Sequence, residues 1–354
     1  MNKEFRRLLA TLMAIILCLS LVACAPKAET PAAEAPAAEA PAADAPVAEP
    51  ADDSSKDGYK ILIGCHNAAQ AFYKWEADEV ERAITENYPD CTFTTFDFAG
   101  DPSNVSTYFE LAVTGEYDGI IADFPDMAGH DEEMQDLRDQ GIYSIKMDSN
   151  VPGDSYVNVG YDNYDLGFIV GQAAGGFLPE NAKLLLIGSL SGPEPSNDRI
   201  RGFLEGIKDV GRNDVTVLAE QGSKDWQKEN AMSVMEDYTQ RFNEGEFQAV
   251  FCVCDDMTSG AIDVCASAGY NMDNIQFYGI DGLANGCRKV QEGSMKATVL
   301  QNCRQIADLS VEALYSMMTG EDTSPRSLLC DPLLITAENV EDVIETHKAN
   351  GMIQ

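Results

Sequence analysis

The sequence predicts an α/β protein whose body consists of two Rossmann-like lobes with parallel sheets. Short apolar runs of strand length recur along the chain from residue 60, and amphipathic stretches lie between nearly all of them. Such alternation is typical of βαβ units, in which right-handed crossovers place helices on both faces of a parallel sheet. With 354 residues and 45% hydrophobic content, the chain has enough apolar material for two domains. One sheet of nine or ten strands is the alternative, but two smaller lobes suit this length better.

The predicted strands begin at Lys60–Gly64, an apolar run that ends at a glycine and precedes a helical pattern from about Trp75 to Tyr88. The later strand-like runs are Thr92–Phe98, Gly119–Ala122, Tyr143–Met147, Tyr156–Val159, Leu184–Ile187, Val215–Leu218, Ala249–Val253, Ile275–Ile280 and Ala297–Leu300. Ligands of open parallel sheets bind beyond the carboxyl ends of the strands. The residues that follow each run are therefore the candidates for a binding site.

Residues 1–23 have the layout of a lipoprotein signal peptide. Three basic side chains stand within the first seven residues, an apolar run extends from Leu8 to Leu19, and Leu-Val-Ala-Cys occupies positions 21–24. We expect cleavage before Cys24 and acylation of its sulfur, which would hold the mature protein on the outer face of the cytoplasmic membrane. A plain signal peptide or an uncleaved anchor is the alternative, although the apolar run is short for a membrane span.

Residues 24–58 are rich in Ala, Pro and Glu, and we expect them to act as a tether. Pro-Ala-Ala-Glu-Ala occurs twice and Pro-Ala-Ala-Asp-Ala once. Regular proline with like charges favours an extended spacer of roughly 3.1 Å per residue, so the segment could hold the body up to about 100 Å from the lipid. We assign it no binding role.

The formal net charge of −35 argues against nucleic acid as a partner, because phosphate recognition depends on Lys and Arg side chains. Residues 1–23 carry three basic and one acidic side chain, so the predicted mature chain is more acidic still, at −37. This surplus of acid indicates a solvated surface and favours neutral or cationic ligands only weakly.

Eight cysteines lie in the predicted body. They are Cys65, Cys91, Cys252, Cys254, Cys265, Cys287, Cys303 and Cys330. Export permits disulfides, but most of these cysteines lie within apolar strand or helix patterns, so we expect free thiols that pack as small hydrophobic groups. Cys252 and Cys254 lie on one predicted strand, where both sulfurs point to the same face. A zinc site would need two further ligands at suitable spacing; the sequence shows none, and neither a metal nor a cofactor is expected.

Carboxylates, amides and aromatic side chains dominate the positions that follow the predicted strands. They include His66, Asn67, Gln70, Phe72, Tyr73, Trp75, Asp123, Asp148, Asp162, Asn163, Arg199, Trp226, Asp255, Asp256, Asp281, Gln301 and Asn302. Neutral sugars need this mixture, because hydroxyls donate to carboxylates, amides both donate and accept, and the C–H face of a sugar ring packs on an aromatic ring. Each Asp taken alone is equally well explained as a helix N-cap. Helix capping does not, however, require amide and aromatic side chains at the same ends of the strands.

At these residues the chain resembles the type I periplasmic sugar-binding proteins of ABC importers, such as the ribose- and galactose-binding proteins. The resemblance covers essentially everything from Tyr59 to the C-terminus. The motifs that carry it are Gln70-Ala71-Phe72-Tyr73, Lys146-Met147-Asp148-Ser149, Val159-Gly160-Tyr161-Asp162-Asn163 with Gly167, Asp198-Arg199-Ile200-Arg201-Gly202-Phe203, Cys254-Asp255-Asp256-Met257 with Gly260, Tyr278-Gly279-Ile280-Asp281-Gly282 and Ala297-Thr298-Val299-Leu300-Gln301. Each motif is weak alone, whereas seven in the expected order are a strong signal.

The resemblance implies a ligand-binding site with ten candidate residues. They are Gln70, Phe72, Tyr73, Asp148, Asn197, Arg199, Trp226, Asp255, Asp281 and Gln301. Phe72 and Trp226 would sandwich the sugar ring, with Tyr73 beside them. Of the polar residues, those that would bond the hydroxyls are Asp148, Asp281 and Gln301.

Two positions depart from the family pattern. Asp255 matches the aspartate of the family's Asn-Asp-Glu-Met stretch, but Cys254 replaces the Asn before it. The family also often has an Arg two residues before Arg199, where this chain has Asn197. The family's amide is replaced by a thiol, and its guanidinium by a shorter amide. Because these groups bind hydroxyls differently, the identity of the ligand stays open. The calcium loop of some galactose-binding relatives has no counterpart here.

The family's chain crosses three times between its lobes, so the resemblance implies a three-stranded hinge with crossings near Tyr161, Asn302 and Cys330. The N-lobe would comprise residues 59–160 and 302–329, and the C-lobe residues 161–301 and 330–354. The implied function is that of a monomeric extracytoplasmic lipoprotein that captures a sugar or polyol between its lobes and delivers it to the permease subunits of an ABC importer.

Three alternatives to this function remain. The protein could instead present its ligand to a chemoreceptor or histidine kinase, or it could bind a nucleoside or autoinducer-2. An enzyme is poorly supported: Gly188-Ser189-Leu190-Ser191-Gly192 has Leu where a nucleophile elbow has Ser, and the sequence lacks both a phosphate-binding loop and an H-E-x-x-H motif. The related LacI-type repressors are excluded by the export signal and by the lack of an N-terminal helix-turn-helix.

Overall fold

A computed structural model describes residues 58–125, 130–148, 153–190 and 193–351 of the chain. The predicted signal peptide, the lipidation site Cys24 and the tether up to residue 57 lie outside the described residues, and so does Ser149. No helix among the described residues is long and apolar enough to cross a membrane.

Twelve strands are present in the described part of the chain. In chain order they are β1 (Lys60–Cys65), β2 (Thr92–Asp97), β3 (Gly119–Ala122), β4 (Tyr143–Met147), β5 (Val157–Gly160), β6 (Lys183–Ser189), β7 (Thr216–Ser223), β8 (Ala249–Cys252), β9 (Gln276–Tyr278), β10 (Ala297–Leu300), β11 (Arg326–Leu329) and β12 (Leu333–Thr336). Ten of them correspond to the predicted runs, with ends that differ by a few residues.

The α-helices of the described residues connect these strands. They are α1 (Ala71–Asn87), α2 (Val105–Thr114), α3 (Asp131–Asp139), α4 (Asn163–Phe177), α5 (Pro193–Asp209), α6 (Lys228–Arg241), α7 (Asp255–Ser267), α8 (Ala284–Gln291), α9 (Cys303–Met318) and α10 (Val340–Ala349). Short 3₁₀ helices lie at Pro102–Asn104 and Met272–Asn274.

The strands form two six-stranded sheets, as the α/β prediction with two lobes requires. The first sheet has the order β11-β5-β4-β3-β1-β2 and is parallel throughout; the second has the order β12-β10-β9-β8-β6-β7. Its one antiparallel pair is β10 with the edge strand β12. The chain passes between the sheets three times, after β5, after β10 and after β11.

Burial follows from this layered arrangement. Every residue of the central strands β3, β8 and β10 is buried, because helices cover both faces of a parallel sheet and the strands can be apolar throughout. The outer strand β2 is mostly exposed. The same principle explains why β11 and β12 escape sequence-based prediction, since both are four-residue edge strands with only partial burial.

Helices α4 and α5 pack closely because glycines line their contact. A Cβ atom added at Gly167 would lie 2.0 Å from the carbonyl oxygen of Arg199, and one at Gly171 would lie 2.1 Å from that of Phe203. Gly202 and Gly206 on α5 face backbone of α4 in the same way. The two backbones thus touch directly, and this contact fixes the position of Arg199 on α5.

All eight cysteines of the described body are free thiols. Seven of them are buried, in keeping with thiols that pack as small hydrophobic groups. Cys252 ends β8, however, while Cys254 precedes α7 in extended backbone, so the two do not share one strand as predicted.

Candidate binding site between the lobes

Arg199 is the centre of a buried hydrogen-bond network at the carboxyl ends of the strands. Its Nε donates to Asn163 Oδ1 over 2.8 Å, and its Nη1 donates to the Val253 carbonyl over 2.9 Å. Nη1 also lies 3.3 Å from Asp281 Oδ1, and Nη2 donates to Gln301 Oε1 over 2.8 Å. The side chain of Arg199 is 6% exposed, so its charge is compensated by protein groups and not by bulk water.

Gln301 extends this network to the other lobe. It follows β10 of the second sheet, and its Nε2 donates to Asp148 Oδ1 over 3.0 Å. Asp148 follows β4 of the first sheet. A chain of hydrogen bonds therefore runs from Asp281 through Arg199 and Gln301 to Asp148, and it joins the strand ends of the two sheets.

Both aspartates at the ends of this chain have left-handed backbone. The φ angle is 47° at Asp148 and 117° at Asp281. Non-glycine residues in such regions cost of order 1–3 kcal/mol each and concentrate at functional sites, where the surrounding structure holds them. Their conformation supports a functional role for these two strand ends.

Burial shifts the protonation of both carboxyl groups. It raises the pKa of Asp281 to about 7, against the opposing effect of the Arg199 guanidinium. Burial raises the pKa of Asp148 to about 8, with further contributions from the charges of Asp123 and Asp281. Burial and the charges of Asp123 and Asp148 likewise raise the pKa of Glu76. The site thus concentrates carboxyl groups in a region of low polarity.

Aromatic rings lie beside Arg199 and at the start of helix α1. The Arg199 guanidinium lies 5.2 Å from the ring of half-buried Trp226. Tyr73 stacks on His66 with ring centroids 4.0 Å apart, and Phe72 meets Tyr73 edge-on at 5.6 Å. Burial raises the pKa of the Tyr73 phenol, and the charges of Asp123, Asp148 and Asp281 raise it further. The Tyr73 side chain therefore faces carboxylates from both lobes.

Three candidate residues lie apart from this network. Asp255 is fully buried, and its carboxylate accepts hydrogen bonds from the Thr298 hydroxyl over 2.7 Å and from the Leu283 amide over 3.0 Å. It supports the loop that carries Asp281. Asn197 is exposed and lines a groove of about 420 Å³ on the outer side of α5. Gln70 is half-buried just before α1. A direct role for these three in ligand binding stays a prediction.

The structure adds residues that the sequence-based candidates omit. Asp123 follows β3 and is 3% exposed, with Oδ1 3.6 Å from His66 Nδ1. Asn163 holds Arg199, and Glu76 on α1 is 1% exposed. Asp123 and Asn163 were among the positions that follow the predicted strands, and this signal could have selected them. Glu76 has no such signal, because a charged residue on an amphipathic helix is expected at the surface.

Cys254 lies beside Trp226, whose carbonyl oxygen is 3.5 Å from its sulfur. Burial raises the pKa of this thiol well above its usual range, so it is a neutral group at the position where the resemblance expects an amide. Among the residues that the structure describes, no three His, Cys, Asp or Glu side chains converge as a metal site requires.

Comparisons with known proteins agree with this geometry. A family model described as periplasmic binding protein domain matches residues 61–322. The ribose import binding protein RbsB of Haemophilus influenzae is 27% identical over 169 residues, 48% of this chain and 55% of that protein. The D-allose-binding periplasmic protein of Escherichia coli is 26% identical over 218 residues, 56% of this chain and 66% of that protein. The chain thus spans between about half and two thirds of the length of these relatives.

Solved structures share the fold. The Caulobacter myo-inositol binding protein, solved with bound myo-inositol, has a TM-score of 0.74 to this chain at 20% identity. The likeness covers 81% of this chain and 97% of that one.

Proposed function

Because the chain belongs to the periplasmic binding protein family, we propose that it binds a sugar or sugar-like solute between its two lobes and does not catalyse a reaction on it. The observation that carries this proposal is the hydrogen-bond chain from Asp281 through Arg199 and Gln301 to Asp148. It places donors and acceptors from both lobes side by side at the strand ends, where ligands of α/β sheets bind.

The side chains of this region suit a polyhydroxylated molecule. Hydroxyl groups would donate to the carboxylates of Asp148 and Asp281, and Arg199 with Gln301 would donate to ring or hydroxyl oxygens. The ring of Trp226, together with Phe72, would pack against the C–H faces of the solute. The ribose- and allose-binding names of the relatives support a solute of this class.

Capture is expected to depend on lobe closure. A ligand that bonds Asp148 on one lobe and Asp281 on the other gains contacts only when the lobes are close, so it shifts the population toward the closed form. The closed form would be the species that the permease of an ABC importer recognises. Copurification with membrane partners separates an importer from a chemoreceptor or histidine kinase.

The experiment for the solute is a thermal-shift screen of the purified protein against monosaccharides, polyols and nucleosides, because a ligand of the native state raises the melting temperature. We expect one or more sugars or polyols to do so, and Trp226→Ala and Asp281→Ala to abolish or severely weaken binding by calorimetry. Asp154→Asn, which removes an exposed carboxylate from the same chain, should bind normally. Unchanged affinity in both site variants would contradict the assignment.

We also propose that the protein is a monomeric lipoprotein, anchored outside the cell through Cys24. The basic and apolar segments before Leu-Val-Ala-Cys support this. Growth of producing cells with labelled palmitate should label the wild-type protein and not Cys24→Ser. Equal labelling of both would contradict the anchor and leave the proposed binding function intact.

A further inference from the structure

The proposed site between the lobes, called the cleft below, contains more acidic than basic side chains. Its carboxyl groups belong to buried Glu76, Asp123 and Asp281 and to half-buried Asp148. Within the described ranges, the ion pairs of these four groups are Arg199 with Asp281 at 3.3 Å and His66 with Asp123 at 3.6 Å. Arg199 is therefore matched by Asp281, and the carboxyl groups on the first lobe face no Lys or Arg at ion-pair distance among the described residues. Buried Lys146 on β4 has its ammonium group 5.8 Å from the centre of the Tyr156 ring.

Of these groups, Glu76 and Asp123 each have a buried oxygen that lacks a hydrogen-bond partner, and Asp123 is the one that follows a strand. Its side chain is 5% exposed, yet Oδ2 has no hydrogen-bond partner. The 3.6 Å contact of its Oδ1 with His66 Nδ1 exceeds a normal hydrogen bond. A buried acceptor without a partner is unfavourable, and more so when it is charged. The Asp123 carboxylate is thus arranged to receive donors from outside the chain.

The position of Asp123 links it to the proposed solute site. It follows β3, the neighbour of β4 in the first sheet, and β4 leads into Asp148. The charges of both aspartates act on the Tyr73 phenol, whose ring stacks on His66. The carboxyl groups of Asp123 and Asp148 therefore lie at the same edge of the first sheet, at the ends of neighbouring strands.

We propose that the bound solute is cationic, an amino sugar or amino polyol whose ammonium group is held by Asp123 and Asp148. This inference rests on the proposed function and narrows its ligand class. An ammonium supplies three donors and one positive charge, whereas a hydroxyl supplies one donor and no charge. A metal ion fits less well, because Ca²⁺ takes six to eight oxygen ligands, and the described residues contain no cluster of three acidic or metal-binding side chains.

The opposite side of the site completes the recognition. Arg199 and Gln301 donate hydrogen bonds and are suited to the neutral oxygens of such a solute. The sugar would then lie with its amine toward the first lobe and its hydroxyls toward Arg199 and Asp281. This orientation separates the ligand's positive charge from the Arg199 guanidinium.

The test uses matched probes with the purified protein near neutral pH. Affinities are measured by calorimetry for D-glucosamine, D-galactosamine and D-mannosamine, each against its neutral parent hexose and its N-acetylated form. We expect at least one amine to bind about tenfold or more tightly than both of its neutral partners, which corresponds to about 1.4 kcal/mol. In Asp123→Asn, which keeps the shape of the side chain, the preference should fall to within about twofold.

The control variant is Asp154→Asn, which removes an exposed carboxylate and should keep the preference. An amine preference that survives Asp123→Asn, or the lack of any amine preference in the three sets, overturns the proposal. If the neutral hexoses bind while the amines do not, the cationic ligand class fails and the sugar-binding function stands. If no sugar or polyol of the wider screen binds either, both fail. Equal melting temperatures of the wild type and Asp123→Asn show that the variant is folded.

Discussion

Replacement of the buried arginine tests the centre of the site. In Arg199→Met the hydrogen bonds to Asn163, Val253 and Gln301 are lost, and Asp281 loses its ion pair. Removing one partner of a buried pair typically costs about 3–5 kcal/mol, because the other charge stays buried without compensation. Burial already raises the pKa of Asp281 to about 7, so this carboxyl group can take up a proton at little cost. We therefore expect the lower end of that range, about 3 kcal/mol near neutral pH.

The pH dependence of this loss follows from linkage. A carboxyl group whose folded pKa is raised contributes stability that is present below its unfolded pKa and is lost as pH rises through the folded pKa. In the wild type, the decrease in folding stability that comes from Asp281 ends near pH 7, because the pKa of Asp281 is about 7. Arg199 lowers the pKa of Asp281, so this pKa should be higher in Arg199→Met. The decrease in folding stability then continues to higher pH in the variant. The destabilisation should therefore widen above about pH 7.

Urea denaturation followed by circular dichroism, from about pH 6 to about pH 9, measures both effects. Arg201→Met is the matched control, because this exposed arginine lies on the same helix and pairs with Asp198 at 2.7 Å. Its cost should not exceed about 1 kcal/mol. Arg199→Lys keeps the charge and should show a pH profile close to that of the wild type. A cost for Arg199→Met equal to that of Arg201→Met, or one that does not change with pH, would refute the reasoning.

Three further predictions follow from other parts of the structure. Gln301→Ala removes the hydrogen bond to Asp148 that joins the lobes, so the ligand-free protein should open and show a larger radius of gyration in X-ray scattering. Gly171→Ala should lower the free energy of unfolding by about 2 kcal/mol or more, because its Cβ would lie 2.1 Å from the Phe203 carbonyl oxygen. Gly176→Ala on the same helix meets no atom within 4 Å and should be neutral or slightly stabilising; equal losses in urea denaturation would contradict this. The eight described cysteines should resist a thiol reagent in the folded protein and react in urea, because burial raises the pKa of each thiol.

The buried strands were predictable because helices cover both of their faces, so their sequences are apolar at nearly every position. The predicted limits of Gly119–Ala122, Tyr143–Met147 and Ala297–Leu300 agree with the structure. The edge strands Arg326–Leu329 and Leu333–Thr336 were not found in this way, since each has only four residues and is only partly buried.

The site was predictable where its residues follow strands. Asp148, Asp281 and Gln301 follow strands, whereas Arg199 lies on helix α5. All four were candidates from the sequence, and the structure brings them into one network. Asp255 has the same sequence signal but bonds Thr298 and a backbone amide. A sequence pattern can place a carboxylate at the end of a strand. It does not tell whether the oxygens of that carboxylate point into the cleft or bond to neighbouring protein groups.

Gln301 and Asn302 lie on a segment of chain that passes between the two sheets, and this has a consequence for the proposed closure of the lobes. Gln301 bonds Asp148 across the lobes, while the next residue, Asn302, donates its backbone amide to the Tyr161 hydroxyl over 2.8 Å. The second bond ties two of the chain segments that pass between the sheets, so it can persist while the lobes rotate. The first bond joins opposite strand ends and must break when they separate. Opening therefore exposes Asp148 and Gln301 together. A solute that bonds both side chains would connect the two lobes, as the direct hydrogen bond between Gln301 and Asp148 does when no solute is bound.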